Sequence, residues 1–70
     1  MASKIPRYAF VYTLGKSTRW HIEYYSVPAT NGNYFAGLDS IPKRNHKTVK
    51  RLSAFLFNKY PTLLEVFDKT

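Results

Sequence analysis

The chain has 70 residues, with eleven Lys and Arg against four Asp and Glu and a formal charge of +7. A chain this short makes one domain and buries only roughly 60% of the surface its unfolded state exposes, so it needs a dense core. No cysteine is present, which excludes a disulfide framework or a Cys-based zinc site, and no apolar run approaches the roughly 18–20 residues of a membrane span.

Residues 1–6 read as a flexible tail, and 7–70 as a single globular domain. The tail leads into no signal-like apolar stretch, so the expected setting is intracellular, cytoplasmic or nucleoid-associated. From Arg7 to Leu14, β-favouring residues alternate: Tyr8, Phe10, Tyr12 and Leu14 point one way, Arg7, Ala9, Val11 and Thr13 the other. This predicts a first strand. Gly15-Lys16-Ser17-Thr18 is a turn, and Arg19 to Val27 alternates again until Pro28. Trp20, Ile22 and Tyr24 lie opposite Arg19, His21, Glu23 and Tyr25. Asn31-Gly32 is a strong turn dipeptide, and Asn33 to Leu38 reads as a third strand that Gly37 weakens or bulges.

The parity of the first hairpin sets the faces. A four-residue loop puts Tyr8, Phe10 and Tyr12 beside His21 and Glu23. A three- or five-residue loop puts them beside Trp20, Ile22 and Tyr24. The odd loop gives one apolar and one polar face, as a half-buried antiparallel sheet requires, and is preferred. The solvent face then carries Arg7, Val11, Thr13, Arg19, His21, Glu23 and Tyr25. The aromatic set Tyr8, Phe10, Tyr12, Trp20, Tyr24, Tyr34 and Phe35 is expected to be mostly core, with some tyrosine hydroxyls at an edge.

The second half predicts a helix. Asn45 is a candidate N-cap, or the first turn begins near Pro42 after Ser40. At 100° per residue Val49, Leu52, Leu56 and Tyr60 form one stripe of about 80°, with Lys43, Lys47, Lys50 and Arg51 opposite and Phe55 and Phe57 outside it. Pro61 stops the helix. Thr62-Leu63-Leu64-Glu65 has capping-box spacing, which predicts a possible short second helix over 63–68. The expected fold is α+β: a small three-stranded antiparallel sheet packed on a C-terminal helix, with that second helix added.

The strongest functional signal is Lys43-Arg44-Asn45-His46-Lys47-Thr48-Val49-Lys50-Arg51, five formal cations in nine residues with no acid among them. Clustered Lys and Arg attract phosphate backbones or acidic partners. The candidate binding residues are Lys43, Arg44, His46, Lys47, Lys50 and Arg51. Arg7, Lys16, Arg19, His21 and Tyr25 join them from the sheet, where Arg can read guanine in a major groove and an exposed Tyr25 can stack a base.

Catalysis has one weak candidate. His21-x-Glu23 on one strand face, with Arg19, offers a base, an acid and an oxyanion stabiliser in the manner of a metal-independent ribonuclease. The four acids are scattered, so no metal cluster is visible. Gly15-Lys16-Ser17 lacks the upstream glycine of a P-loop. No cofactor is expected, and the protein is not expected to be an enzyme.

In element order, Trp20-x-Ile22 on the second strand, Asn31-Gly32 before the third and Gly37-Leu38 leading to the helix are similar to the AP2 domain and the arm-binding domain of phage integrases. The likeness is one of architecture over residues 8 to 57, and it implies a sheet laid in a major groove. The expected function is therefore a small basic nucleic-acid-binding module, with double-stranded DNA ahead of RNA. The alternative is a protein-interaction module, a small modulator or inhibitor of a larger host or phage machine, that uses the same basic helix and exposed aromatics on an acidic surface. No membrane partner is expected, and oligomeric state stays open.

Overall fold

The structure, a computed structural model, describes residues 5–28 and 34–69. It is an α+β fold with one helix and a four-stranded mixed sheet. The strands are β1 (Tyr8–Tyr12), β2 (Arg19–Tyr25), β3 (Phe35–Pro42) and β4 (Glu65–Asp68); a 3₁₀ turn, Lys43–Asn45, precedes α1 (Val49–Lys59). The sheet order is β3-β2-β1-β4, with β4 parallel to β1 and the other pairs antiparallel. The Asn31-Gly32 turn and Asn33, the expected start of the third strand, lie outside the described residues.

The hairpin parity differs from the expectation. Tyr12 pairs with His21 and Phe10 with Glu23, so the connection has even length, as the four-residue loop requires. Ser17 N–H donates to Leu14 O at 2.9 Å, and Gly15 takes φ +54°, a conformation that costs glycine little. Ala9 and Val11, not the large rings of β1, therefore share a face with Trp20, Ile22 and Tyr24. The physical reason is closeness. Small side chains on β1 let α1 approach until Val11, Ile22, Leu52 and Leu56 are fully buried, each contributing roughly 1.5–3 kcal/mol. Tyr8, Phe10 and Tyr12 beneath the helix would have held it away and brought two phenols into an apolar layer.

The helix stripe behaves as its period demands. Leu52 and Leu56 are buried, and Val49 and Tyr60 pack at the margin of the core. The cap is Thr48, not Asn45: its Oγ1 accepts from Arg51 N–H at 3.2 Å. Asn45 closes the 3₁₀ turn instead, so of the five cations in the basic stretch only Lys50 and Arg51 lie in α1.

No second helix forms over 63–68. Thr62 Oγ1 donates to Pro6 O at 2.8 Å rather than capping. Residues 65–68 pair with β1, and Lys69 N–H donates to Val11 O at 2.8 Å. The exposed edge of β1 decided this, because its backbone groups needed partners and six residues make a poor helix. In β3 the register shifts between Tyr24 and Tyr25, whose partners are Gly37 and Phe35. Gly37 sits there at φ +152°, so it marks a bulge.

Candidate functional site

The topology collects cations at one end of the sheet. β1 stops where β2 begins and β3 ends, and β4 runs parallel to β1. Lys16, Arg19, the basic segment and Lys69 all emerge there. Arg7 precedes β1 and lies at the opposite end, where its N–H donates to Tyr25 O at 3.0 Å, so these two candidates stand apart from the rest.

The basic segment is pinned rather than loose. Lys43 N–H donates to Thr18 O at 2.9 Å, and Trp20 Nε1–H donates to His46 O at 2.7 Å. The Lys43 ammonium stands 5.5 Å from the Trp20 ring centre, and the His46 ring packs on Phe55 at 4.5 Å. His46 is thus a half-buried packing residue. Lys47, Lys50 and Arg51 are exposed. No acid occupies the first turn of α1, where the helix dipole already favours negative charge. Lys50 and Arg51 there repel the dipole.

Pairing of Arg19 with Pro42 brings the β1–β2 turn against the start of the basic segment. Between them lies an open pocket of about 600 Å³ lined by Ser17, Thr18, Arg19, Pro42, Lys43 and Arg44. The Arg19 guanidinium is held there: Nε–H donates to Ser40 Oγ and Nη2–H to Ser40 O, both at 2.8 Å. Its Nη1 edge makes no bond within the described residues.

The sheet face away from α1 is more aromatic than the sequence suggested. Phe10 and Phe67 stack at 4.9 Å and 20°, Tyr8 and Phe67 at 6.3 Å and 27°, and Tyr12 and His21 at 5.6 Å and 24°. Rings this close and nearly parallel are offset-stacked, each using one π-face on its neighbour. Glu23 sits at the centre. Its Oε2 accepts from the Tyr12 hydroxyl at 2.9 Å and its Oε1 from the Tyr25 hydroxyl at 3.0 Å. The Lys69 ammonium lies 3.8 Å from Oε1 and over the Tyr12 ring at 5.2 Å. The Glu23 bond, then burial, raises the Tyr12 phenol above its ordinary pKa; burial, then the Glu23 bond, raises that of Tyr25.

Three expectations change with this face. Tyr25 is only 6% exposed, edge-on to Phe10 and Phe35, so it offers no stacking platform. Val11 is in the core, not on the solvent face, whereas Tyr34 and Phe35 are exposed. His21 and Glu23 share the face, but both Glu23 oxygens accept from tyrosines and His21 stacks on Tyr12.

Phe67 and Lys69 are not among the expected site residues, because the capping-box spacing predicts a helix over 63–68 where β4 forms. The β-favouring pair Val66-Phe67 between Glu65 and Asp68 is the available sequence signal. Among the described residues no group of three or more His, Cys, Asp or Glu is placed to hold a metal, and no helix is long and apolar enough to cross a membrane.

Comparison with protein-family models, curated proteins and solved structures finds no match.

Proposed function

We propose that the protein binds nucleic acid, double-stranded DNA ahead of RNA, by gripping phosphates with the cationic end of its sheet and the start of α1. The observation that carries this is the set of unsatisfied cations. Among the described residues, ion pairs engage Lys59 and Lys69. Lys16, Lys43, Arg44, Lys47, Lys50 and Arg51 have no carboxylate partner there. A surface that keeps so many like charges together without acids is stabilised by a polyanion. The duplex is favoured over a single strand because the rings of the open face stack on one another, leaving less free π-surface for bases. Contacts of this kind position a backbone and carry little base readout.

The test is a gel-shift series with duplex DNA, single-stranded DNA and RNA. If about six phosphates are engaged, log affinity falls against log salt with a slope near −5, about a 10³-fold loss between 50 and 200 mM. The triple change Lys47→Gln, Lys50→Gln, Arg51→Gln weakens every sequence alike and makes the slope shallower. Binding insensitive to salt sinks the reading.

A second reading, docking on an acidic protein inside the cell, is favoured by one observation: among the described residues no element covers the aromatic face of the sheet, where Leu38 is 68% exposed. Aromatic anchors ringed by polar groups are common at protein interfaces. A stoichiometric partner that survives nuclease and is lost on Leu38→Asp, with DNA binding retained, supports it.

A further inference from the structure

We infer that the pocket between the β1–β2 turn and the 3₁₀ turn is a binding site for a phosphate monoester, either the phosphorylated end of a nucleic-acid strand or a free phosphorylated small molecule. The inference rests on the nucleic-acid reading for the first source alone. Four observations combine. The pocket is concave and, at about 600 Å³, has the size of a small-ligand site. Three of its six lining residues, Arg19, Lys43 and Arg44, are cations, two more, Ser17 and Thr18, bring hydroxyls, and none is an acid.

The arginine is also preorganised. Ser40 fixes Arg19 through Nε and Nη2, which leaves the Nη1 edge as a donor with a set direction. A guanidinium locked in this way loses little side-chain freedom on binding an anion. Finally, the two walls are tied together by the bond from Lys43 N–H to Thr18 O, so the cations of one wall keep their distance from those of the other.

The charge count selects the monoester. A backbone diester carries one negative charge and passes its chain on both sides. A monoester carries about −1.5 to −2 and presents three acceptor oxygens. Three cations around one concavity suit the second. The extended arms at Lys47, Lys50 and Arg51 suit the first.

The test uses fluorescein-labelled oligonucleotides of one sequence, ending in phosphate or hydroxyl at the unlabelled terminus, read by anisotropy at about 150 mM salt. Amide NMR titrations with inorganic phosphate and adenosine 5′-monophosphate run alongside. Expected are about tenfold tighter binding of the phosphorylated end, as one to three new charge-assisted bonds give, and shifts at the Ser17, Thr18 and Arg44 amides. Arg44→Gln and Arg19→Gln, each checked for a native spectrum, abolish the preference. Lys50→Gln weakens both oligonucleotides equally.

Equal binding of the two ends, with no pocket amide moved by phosphate or the nucleotide, overturns the inference and leaves the nucleic-acid reading standing. Failure of every oligonucleotide, with the nucleotide still shifting the pocket amides, removes the nucleic-acid reading and assigns the pocket to the free small molecule.

Discussion

The two faces of the sheet solve the same problem by different chemistry. Under α1 the layer is closed by size: Ala9 and Val11 leave room, and Leu52 and Leu56 descend between Trp20, Ile22 and Tyr24. The polar atoms there are few, and each has a partner. Trp20 donates to His46 O, and Tyr24 donates to Asp39, which also holds Lys59 at 2.9 Å. On the other face no described element descends, and the rings close on themselves. Phe67 lies against Tyr8 and Phe10, Tyr12 against His21, and a carboxylate ties two phenols from below. Each stacked pair contributes about 0.5–1.5 kcal/mol beyond its buried area. A Glu23 side chain that keeps 20% of its surface exposed is tolerable in this setting and would not be under the helix. The lesson is that a sheet face without a covering layer can still be ordered, provided its polar groups are satisfied within it.

The largest test of this contrast is Leu56→Ala. The side chain is fully buried, so its truncation costs about 2–5 kcal/mol. A domain of this size has roughly 3–5 kcal/mol in total, and urea melts should find the variant largely unfolded. Next comes Glu23→Ala. It removes the acceptor for the Tyr12 and Tyr25 hydroxyls and the partner of Lys69, and costs about 1–3 kcal/mol; Glu23→Gln keeps one acceptor and costs less. A Glu23→Ala protein as stable as wild type would show that the open face is held by its rings alone.

In pH dependence the faces share an alkaline limb and differ at the acid one. Folding raises the phenols of Tyr12 and Tyr25 above the ordinary value of 10.0. Their contribution is therefore complete below pH 10 and is lost as pH rises through their folded values. Tyr24, on the helix side, is raised in the same direction, first by burial and then by Asp39. The acid limb belongs to the helix side. Burial works against the Asp39 carboxylate, but bonds from Lys59 and the Ser40 N–H outweigh it and hold Asp39 below 3.8. That contribution is present above 3.8 and lost as pH falls through the folded value. The pair is exposed enough that screening limits it to at most about 1 kcal/mol. Thermal melts should accordingly lose stability above pH 10. The double change Tyr12→Phe, Tyr25→Phe should shrink that limb to the part that Tyr24 carries and leave the acid one unmoved.

Period and punctuation made much of this fold legible. Alternation located β1 and β2, the Val49-Leu52-Leu56-Tyr60 stripe located α1, and Gly37 marked the bulge. What escaped depended on interactions beyond a local window. One residue of loop length decides which rings of β1 face the helix, and no local pattern encodes it. Residues 62–65 carry helix-cap spacing, yet the unpaired edge of β1 claimed the segment behind them. The basic stretch was visible as charge, but its division by Thr48 into a pinned turn and a helix start was not. Arg19 is a candidate on sequence alone; only the register of β2 and β3 sets it opposite Lys43 and Arg44. Lys69 escaped with β4.

The smallest expected effect carries the sharpest distinction. Leu38 is 68% exposed on the outer strand β3, on the open face. Truncating a side chain so exposed changes stability by no more than about 0.5 kcal/mol, far less than the same loss at Leu56. Leu38→Ala in a urea melt therefore reads whether the open face is surface or concealed core. A cost above about 1 kcal/mol means that the face is covered in solution, since only desolvated carbon contributes that much. A cost near zero leaves Leu38 as apolar surface that the fold does not need.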